Sequence, residues 1–200
     1  MTEHYFSNTP SASSNEETFS FELRGQTFRF TSDRGVFSKK EVDFGSRVLI
    51  DSFEVNNVKG PILDVGCGYG PIGLTIAKLR PDEQVHMVDV NERALALSEK
   101  NAKANGINNV QIYQSSCYSN VEINDFSTIL TNPPIRAGKK IVHEILEGAY
   151  NHLVEQGELW VVIQKKQGAP SALAKLESLF EEVEVVEKKK GYYIIRAKKC

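Results

Sequence analysis

The sequence has few cysteines and no long hydrophobic run. Its three cysteines, Cys67, Cys117 and Cys200, lie far apart and form no C-x-x-C pair, so we expect neither a disulfide framework nor a zinc site. We expect reduced thiols, which are typical of cytoplasmic proteins. The longest run of aliphatic and aromatic residues covers only 159–163, far short of the roughly 20 residues that a membrane-spanning helix needs.

The sequence also lacks a large excess of charge of one sign. It has 24 Lys and Arg against 26 Asp and Glu, which gives a formal net charge of −2 at pH 7. A protein whose whole surface binds nucleic acid is usually strongly basic, so any such contact must come from a local patch. The first residues contain an acid and no apolar stretch, so we expect no secretory signal.

The 200 residues predict one domain with a small N-terminal extension. Residues 7–18 are polar and turn-prone and predict a flexible arm. Alternating apolar residues in 18–23 and 27–31 predict a β-hairpin, and the apolar spacing in 43–53 predicts a helix. We therefore assign residues 1–56 to an N-terminal extension.

The rest of the chain alternates between strand and helix patterns. Strands are predicted at 62–65, 85–88, 110–113, 126–130, 159–163, 183–186 and 192–197, and helices at 72–79, 92–104, 141–154 and 171–180. This alternation requires right-handed crossovers and a mostly parallel sheet, whereas the short link 187–191 makes the last two strands an antiparallel hairpin. Residues 57–200 are thus predicted to form an α/β domain, a Rossmann-like, doubly wound sheet of seven strands with a C-terminal edge hairpin.

A glycine-rich turn follows the first strand of this domain. Residues 64–70, Asp-Val-Gly-Cys-Gly-Tyr-Gly, place three alternating glycines where doubly wound sheets bind ligands, at the carboxyl ends of strands. Asp89 ends the second strand, where an acid can accept hydrogen bonds from both hydroxyls of a ribose. A nucleoside cofactor is therefore expected, either NAD or S-adenosylmethionine.

Asp64 favours one of these two cofactors on the basis of charge. A carboxylate at the end of the first strand would repel a pyrophosphate, which needs backbone donors and no like charge nearby. A sulfonium cofactor that carries an amino group and no phosphate tolerates the carboxylate. We therefore favour S-adenosylmethionine and keep NAD as the alternative.

A second motif, Asn132-Pro133-Pro134-Ile135, follows the fourth strand. The two prolines fix the backbone and remove two N–H donors, which leaves the Asn132 side-chain oxygen and the Pro133 carbonyl as rigidly held acceptors. Two acceptors that hold both hydrogens of a conjugated amine would help its nitrogen to pyramidalise and attack a methyl group. The motif thus predicts a site of N-methylation, with all four residues as candidates for the catalytic site.

The glycine turn resembles the first motif of class I methyltransferases, and Asp89 resembles their second acidic position. More narrowly, nearly the whole chain is similar to the C-type guanine-N2 methyltransferases of small-subunit ribosomal RNA. The similar stretches are residues 4–7, 35–38, 43–46, 64–70 and 132–135. The resemblance implies S-adenosylmethionine as the cofactor, ribosomal RNA or the small ribosomal subunit as the partner, and a guanine amine held by Asn132 and Pro133.

The resemblance also implies a set of cofactor contacts. Phe37 and Ser38 would help to close the pocket, and Ser116 or backbone groups would replace an acid that usually contacts the adenine amine. Ile135 stands where many relatives carry a stacking aromatic residue, so stacking would come from elsewhere, such as Phe37. The expected cofactor contacts are Phe37, Ser38, Asp64, Gly66, Cys67, Gly68, Gly70, Asp89, Val90, Ser116, Cys117 and Asn132.

Several basic residues follow the segments that are expected at the active-site edge of the sheet. Lysine pairs are most often solvated surface, but this placement would form a positive rim that holds phosphates around a flipped base. The expected RNA contacts are Lys39, Lys40, Arg136, Lys139, Lys140, Lys165 and Lys166.

Other functions are compatible with parts of this pattern. The acceptor could be a protein glutamine or an adenine amine, although relatives with those substrates usually carry Tyr or Phe where this chain has Ile135. A non-catalytic RNA-binding module that has kept a nucleoside pocket is a further alternative. The four histidines have no metal-ligand spacing, so we expect no metal.

Overall fold

The structure, a computed structural model, describes residues 8–9, 11–36 and 40–200. Near the N-terminus, β1 (Glu17–Leu23) and β2 (Gln26–Ser32) form an antiparallel hairpin. Seven further strands are β3 (Ile62–Val65), β4 (Val85–Asp89), β5 (Val110–Gln114), β6 (Phe126–Thr131), β7 (Leu153–Gln164), β8 (Glu182–Lys189) and β9 (Tyr192–Lys198). The helices are α1 (Phe44–Ser52), α2 (Pro71–Leu79), α3 (Glu92–Ala104), α4 (Lys139–His152) and α5 (Ala169–Leu179).

The seven strands form one sheet in the order β5-β4-β3-β6-β7-β9-β8. Strands β3 to β7 are all parallel to one another, whereas β9 is antiparallel to both β7 and β8. The predicted α/β fold and its C-terminal edge hairpin are therefore confirmed. The chain runs outward from β3 to β5 and then returns to β6 on the other side of β3. Ligands bind where the strand order reverses in this way, so the crevice between β3 and β6 is the expected site.

Two hydrophobic clusters cover the two faces of the sheet. In β3, Ile62 belongs to the cluster beneath α1, α2 and α3, and its neighbour Leu63 belongs to the cluster beneath α4 and α5. This follows from the strand geometry, in which successive side chains point to opposite faces. None of the helices in the described ranges is long and apolar enough to cross a membrane.

The N-terminal hairpin packs into the same core as the sheet. Phe28 and Phe30 of β2 are almost completely buried, and the Phe30 ring lies 5.7 Å from the ring of Tyr69 in the glycine turn, measured between centroids. The described part of the predicted extension therefore shares its hydrophobic cluster with α2 and α3. The division of the chain at residue 57 stays a prediction.

Helix α4 and strand β7 differ from their predicted bounds. The helix begins at Lys139 and ends at His152, and β7 begins at Leu153, six residues before the predicted start. Leu153 pairs with Phe126, and the register then shifts so that Thr128 pairs with Glu158. Glu155, Gln156, Gly157 and Glu158 separate the first two residues of β7 from the hydrophobic run, so that run indicated only the part of the strand from Leu159 onward.

The buried side chain of Asn101 connects α3 to two other elements. Its oxygen accepts from the Thr31 backbone N–H at 2.7 Å, and its amide nitrogen donates to the carbonyls of Thr31 and Tyr69 at 3.0 and 2.8 Å. These bonds hold the hairpin and the glycine turn against α3. One turn later, the half-buried Asn105 makes similar bonds to the backbone of Arg29, but these bonds are exposed to solvent.

Asn101→Ala should therefore destabilise the fold far more than Asn105→Ala. We expect Asn101→Ala to lower the free energy of unfolding by about 3 kcal/mol, because buried backbone groups lose their partners. Water can replace the lost bonds of Asn105→Ala, so its cost should be about 1 kcal/mol or less. Urea denaturation measures both values, and equal losses in the two variants would contradict this account.

Candidate active site

A single pocket brings together the two loops that the sequence singles out. The glycine turn follows β3 and the Asn-Pro-Pro turn follows β6, and these strands are neighbours in register, with Val65 opposite Thr131. Residues of both turns line the same pocket, together with the first turn of α1 and the end of β4. The predicted site is thus one continuous cavity at the switch point of the sheet.

The glycine turn exposes backbone to this pocket. Gly66 and Gly68 have φ of +75° and +59°, a left-handed backbone conformation that residues other than glycine rarely adopt. A Cβ atom built on either residue has no neighbouring atom within 4 Å, so a side chain there would project into open space. The N–H groups of Gly66 and Cys67 both donate to the Val88 carbonyl at 2.9 Å, which fixes the turn to β4. The turn is a preformed cradle for a ligand.

Asp89 lies at the edge of the same cradle. Its Oδ2 accepts from the Gly68 N–H at 2.9 Å, and its Oδ1 accepts from the Asn91 N–H at 2.9 Å. Burial raises the pKa of this carboxyl. Each carboxylate oxygen has a second lone pair, so Asp89 can hold the turn in place and still accept from a ligand hydroxyl.

The Asn132 amide is oriented by two residues of α1. Its nitrogen, Nδ2, donates to Asp43 Oδ2 and to Ser46 Oγ, each at 3.1 Å. Asp43 is also the N-cap of α1, where Oδ2 accepts from the Ser46 backbone N–H at 3.0 Å. Asn132 lines the pocket, and both hydrogens of its amide are used in these bonds. Its oxygen, Oδ1, therefore remains to accept a hydrogen bond from a ligand.

The prolines after Asn132 complete the acceptor rim. The Pro134 carbonyl accepts from the Ala137 N–H at 2.9 Å, so one of its two lone pairs is used within the turn. Among the described residues no hydrogen bond is made to the Pro133 carbonyl, and Pro133 lines the pocket. The turn thus offers two acceptors, Asn132 Oδ1 and the Pro133 carbonyl.

Comparison with known proteins assigns the chain that forms this pocket to a family. The family model of the methyltransferase small domain matches residues 27–196. The chain belongs to this family. It is 66% identical over 200 residues to an uncharacterized protein, YbxB, of Bacillus subtilis, with full coverage of both chains. It is 32% identical over 199 residues to ribosomal RNA small subunit methyltransferase C of Vibrio parahaemolyticus, which covers 96% of this chain and 56% of that protein.

A solved structure shares the fold of this methyltransferase domain. It is the 16S rRNA N2 methyltransferase of T. thermophilus in complex with AdoMet and guanosine, with a TM-score of 0.83 and 24% identity over 96% of this chain and 52% of that chain. The chain spans about half the length of these two methyltransferases. The resemblance drawn from the sequence is confirmed: the protein is an S-adenosylmethionine-dependent methyltransferase related to small subunit methyltransferase C.

The residues of the pocket fit this cofactor. The open cradle at Gly66 and Gly68 has room for a ligand against the backbone, and Asp89 presents acceptors for ribose hydroxyls. Val90 and Cys117, two of the expected cofactor contacts, also line the pocket. Among the described residues no group of three or more Asp, Glu, His or Cys is arranged to hold a metal.

Other predicted cofactor residues are placed differently. Ser116 does not line the pocket, whereas its buried neighbour Ser115 does, and Gly70 serves as the N-cap of α2. Asp64 is completely buried beneath α2, where Oδ2 accepts from the Gly73 N–H at 2.8 Å. Phe37 and Ser38 lie outside the described residues.

The environment of Asp64 changes the charge argument made from the sequence. Its Oδ1 is buried and has no hydrogen-bond partner in the described structure. Burial raises the pKa of Asp64 to about 7, opposed by the Gly73 N–H and assisted by the negative charge of Asp89. The group is therefore only partly ionised near neutral pH, and the pocket owes less negative charge to it than a surface carboxylate would supply.

Only one of the described basic residues of the predicted rim lines the pocket. Arg136 lines it directly, whereas none of the described lysines of the predicted set does. Lys40 is exposed, with its Nζ 3.8 Å from Glu17 Oε2. Lys139 and Lys140 begin α4, and Lys165 and Lys166 lie in a 3-10 turn after β7. Lys39 lies outside the described residues.

Sequence reasoning missed several residues of the pocket. Asp43 and Ser46 were noted only as part of a stretch shared with the family, and their spacing indicates an N-cap but not contact with Asn132. Gln164, Gln167 and Tyr192 also line the pocket. These residues approach through the order of the strands, which no local motif encodes.

Asp64→Asn should remove a pH dependence from folding. The folded pKa of about 7 lies above the ordinary value of 3.8, so the folded state binds more protons between these values and stability falls as the pH rises. We expect Asp64→Asn to be more stable than the wild type at pH 8 by on the order of 3 kcal/mol, with a smaller difference at pH 5.

Urea denaturation of the ligand-free protein from pH 5 to 8 measures this difference. Asp51→Asn, at an exposed position on α1, is the matched control and should leave the wild-type pH dependence in place. Parallel stability curves for Asp64→Asn and the wild type would contradict a buried carboxyl with a raised pKa.

Proposed function

We propose that the protein methylates the exocyclic N2 amine of a guanine in ribosomal RNA of the small subunit. The observation that carries the proposal is the orientation of Asn132, whose bonds to Asp43 and Ser46 leave its oxygen to accept from a ligand. The relatives named as small subunit methyltransferases support the substrate class. A substrate of this kind would place the enzyme in the cytoplasm.

The acceptor rim suits an amine on a flat ring. Such a nitrogen has two hydrogens and a lone pair that is delocalised into the ring. Asn132 Oδ1 and the Pro133 carbonyl would accept these two hydrogens, which favours a pyramidal nitrogen whose lone pair is free to react. The rim is fixed before the substrate arrives, since the amide is already hydrogen-bonded and the turn contains two prolines.

The cofactor supplies an electrophilic methyl group on a positively charged sulfur. Held against the glycine turn and Asp89, the cofactor would give this methyl group to the amine nitrogen and leave as S-adenosylhomocysteine, and the methylated amine would lose one proton to solvent. Asn132 and Pro133 would position the amine and stabilise its developing charge, so the attack would need no general base with a tuned pKa.

RNA would be held by the charged surroundings of the pocket. Arg136 lies in the pocket wall, directly after the Asn-Pro-Pro turn. The lysine pairs at the start of α4 and after β7 lie at the carboxyl ends of β6 and β7, on the same edge of the sheet. Phosphate contacts from these side chains would be independent of sequence and would leave base recognition to the pocket.

Asn132→Ala tests the acceptor role directly. We expect methyl transfer to small-subunit ribosomal RNA to fall by about 100-fold or more, because the amine loses its main acceptor. Cofactor affinity should fall far less than transfer, since Asn132 is only one of the expected cofactor contacts and the glycine turn and Asp89 are untouched. Transfer is measured with labelled S-adenosylmethionine, and the product nucleoside is identified by mass spectrometry.

Asn120→Ala, at an exposed position outside the pocket, is the control and should transfer at the wild-type rate. Undiminished transfer by Asn132→Ala would refute the acceptor role. A product identified as a methylated adenine or a methylated protein glutamine would refute guanine as the substrate while leaving the chemistry intact.

Ser46→Ala tests whether the orientation of the amide matters. The variant removes one hydrogen bond to Asn132 but keeps the backbone N–H that Asp43 caps. We expect transfer to slow about fivefold, the effect of one ordinary hydrogen bond, with unchanged cofactor affinity. In an Asn132→Ala background the same change should have no further effect, because the two residues act as one unit.

Ser52→Ala at the other end of α1 serves as the control for this pair. If Ser46→Ala and Asn132→Ala reduce transfer by independent, multiplying factors, Ser46 does not act through Asn132.

A further inference from the structure

The end of the C-terminal hairpin reaches the active-site pocket. Strand β9 runs antiparallel to β7, so its first residue, Tyr192, lies at the edge where the parallel strands end. Tyr192 pairs with Gln164, the last residue of β7, and the adjacent Lys165 N–H donates to the Gly191 carbonyl at 2.8 Å. Tyr192 and Gln164 both line the pocket, and so does Gln167 in the following turn.

The ring of Tyr192 is held by the first turn of α1. Its centroid lies 5.6 Å from that of Phe44, with the two ring planes at 60°. Gly45 leaves room for it, since a Cβ at this position would lie 2.8 Å from a carbon of the Tyr192 ring. This is the same turn that supplies Asp43 and Ser46 to Asn132. The aromatic ring and the acceptor amide are thus positioned by one rigid element.

Tyr192 is the aromatic residue of the described pocket whose ring is available to a ligand. The other pocket-lining aromatic side chain, Tyr69, is only 2% exposed and packs edge-on against Phe19 and Phe30. Tyr192 is half-buried. The Asn-Pro-Pro turn contributes Ile135, an aliphatic side chain without a π face. Among the described residues, a flat heterocycle in this pocket would therefore find its stacking surface on β9.

The two glutamines supply polar groups beside this ring. No hydrogen bond to the side chain of Gln164 or Gln167 is made within the described residues, so their carboxamides are available to a ligand. A carboxamide has an acceptor oxygen next to a donor nitrogen. The edge of guanine presents the complementary pair, an N1–H donor next to the O6 acceptor, and its N2 amine follows on the same edge.

We propose that Tyr192, Gln164 and Gln167 form the subsite for the acceptor base, with the base stacked on the Tyr192 ring and its N1–O6 edge read by a glutamine. The proposal rests on the proposed function and extends it, because it assigns recognition of the base to the C-terminal hairpin. Tyr192 acts here as a binding and specificity residue, and the acceptor of the amine hydrogens stays Asn132.

Matched leucine variants of the two neighbouring tyrosines test the subsite. Tyr193 follows Tyr192 in β9 but packs into the cluster on the opposite face of the sheet, so Tyr193→Leu is the control for Tyr192→Leu. The probes are guanosine and inosine, titrated by calorimetry into the full chain saturated with S-adenosylhomocysteine. Inosine keeps N1–H and O6 but lacks the N2 amine, so it reports the subsite without the methyl-accepting group.

We expect Tyr192→Leu to weaken the binding of both nucleosides about 10-fold or more, the effect of losing one base-stacking partner. The KM for RNA should rise by a similar factor, while affinity for S-adenosylhomocysteine stays at the wild-type value. Tyr192→Phe keeps the ring and should bind within about twofold of the wild type. Gln164→Ala should weaken both nucleosides as well, whereas Tyr193→Leu should behave as the wild type.

Three results would each overturn the subsite. Tyr192→Leu could bind the nucleosides with wild-type affinity, or Tyr193→Leu could lose as much nucleoside affinity as Tyr192→Leu. The third result is that the wild type does not bind guanosine at millimolar concentration. The two proposals fail in different ways. Tyr192-dependent binding of inosine and guanosine without any transfer to guanine in ribosomal RNA would refute the proposed function alone. Formation of N2-methylguanosine with an unchanged KM in Tyr192→Leu would refute the subsite alone.

Discussion

The site depends on how the two hydrogens of the Asn132 amide are used. Asp43 and Ser46 accept both of them, at 3.1 Å each, so the amide oxygen has a defined direction before any ligand binds. Without these bonds the amide could rotate and present a donor where an acceptor is needed. Asp43 also caps α1, so the same carboxylate holds the helix that covers one wall of the pocket and the amide that we propose as the acceptor of the amine.

The sheet brings the other parts of the site to this amide. The register that places Val65 opposite Thr131 sets the glycine turn beside the Asn-Pro-Pro turn, and the reversal of strand order between β3 and β6 opens the crevice between them. The antiparallel β9 then adds Tyr192 from the far end of the chain. In the proposed function, the cofactor, the amine and the base would be met by loops of different strands on one edge of the sheet, which is how a rigid scaffold carries a chemical site.

Much of this arrangement could be predicted from the sequence, because the signals are local. The alternation of strands and helices predicts the parallel sheet, and the glycine turn, Asp89 and the Asn-Pro-Pro turn each follow a strand at a recognisable place. The partners of Asn132 could not be predicted, since they lie 89 and 86 residues away and meet it only through the packing of α1. Asp64 shows a different reason: its place at the end of β3 was expected, but its burial beneath α2, which raises its pKa to about 7, depends on tertiary contacts.

The most direct test of the central claim is a crystal structure of the protein with S-adenosylhomocysteine and guanosine bound together. The account predicts that the guanine N2 amine donates to Asn132 Oδ1, that Asn132 Nδ2 keeps its bonds to Asp43 and Ser46, and that the amine faces the sulfur of the cofactor product. A guanosine bound elsewhere, or an Asn132 amide turned so that its nitrogen faces the amine, would contradict the account.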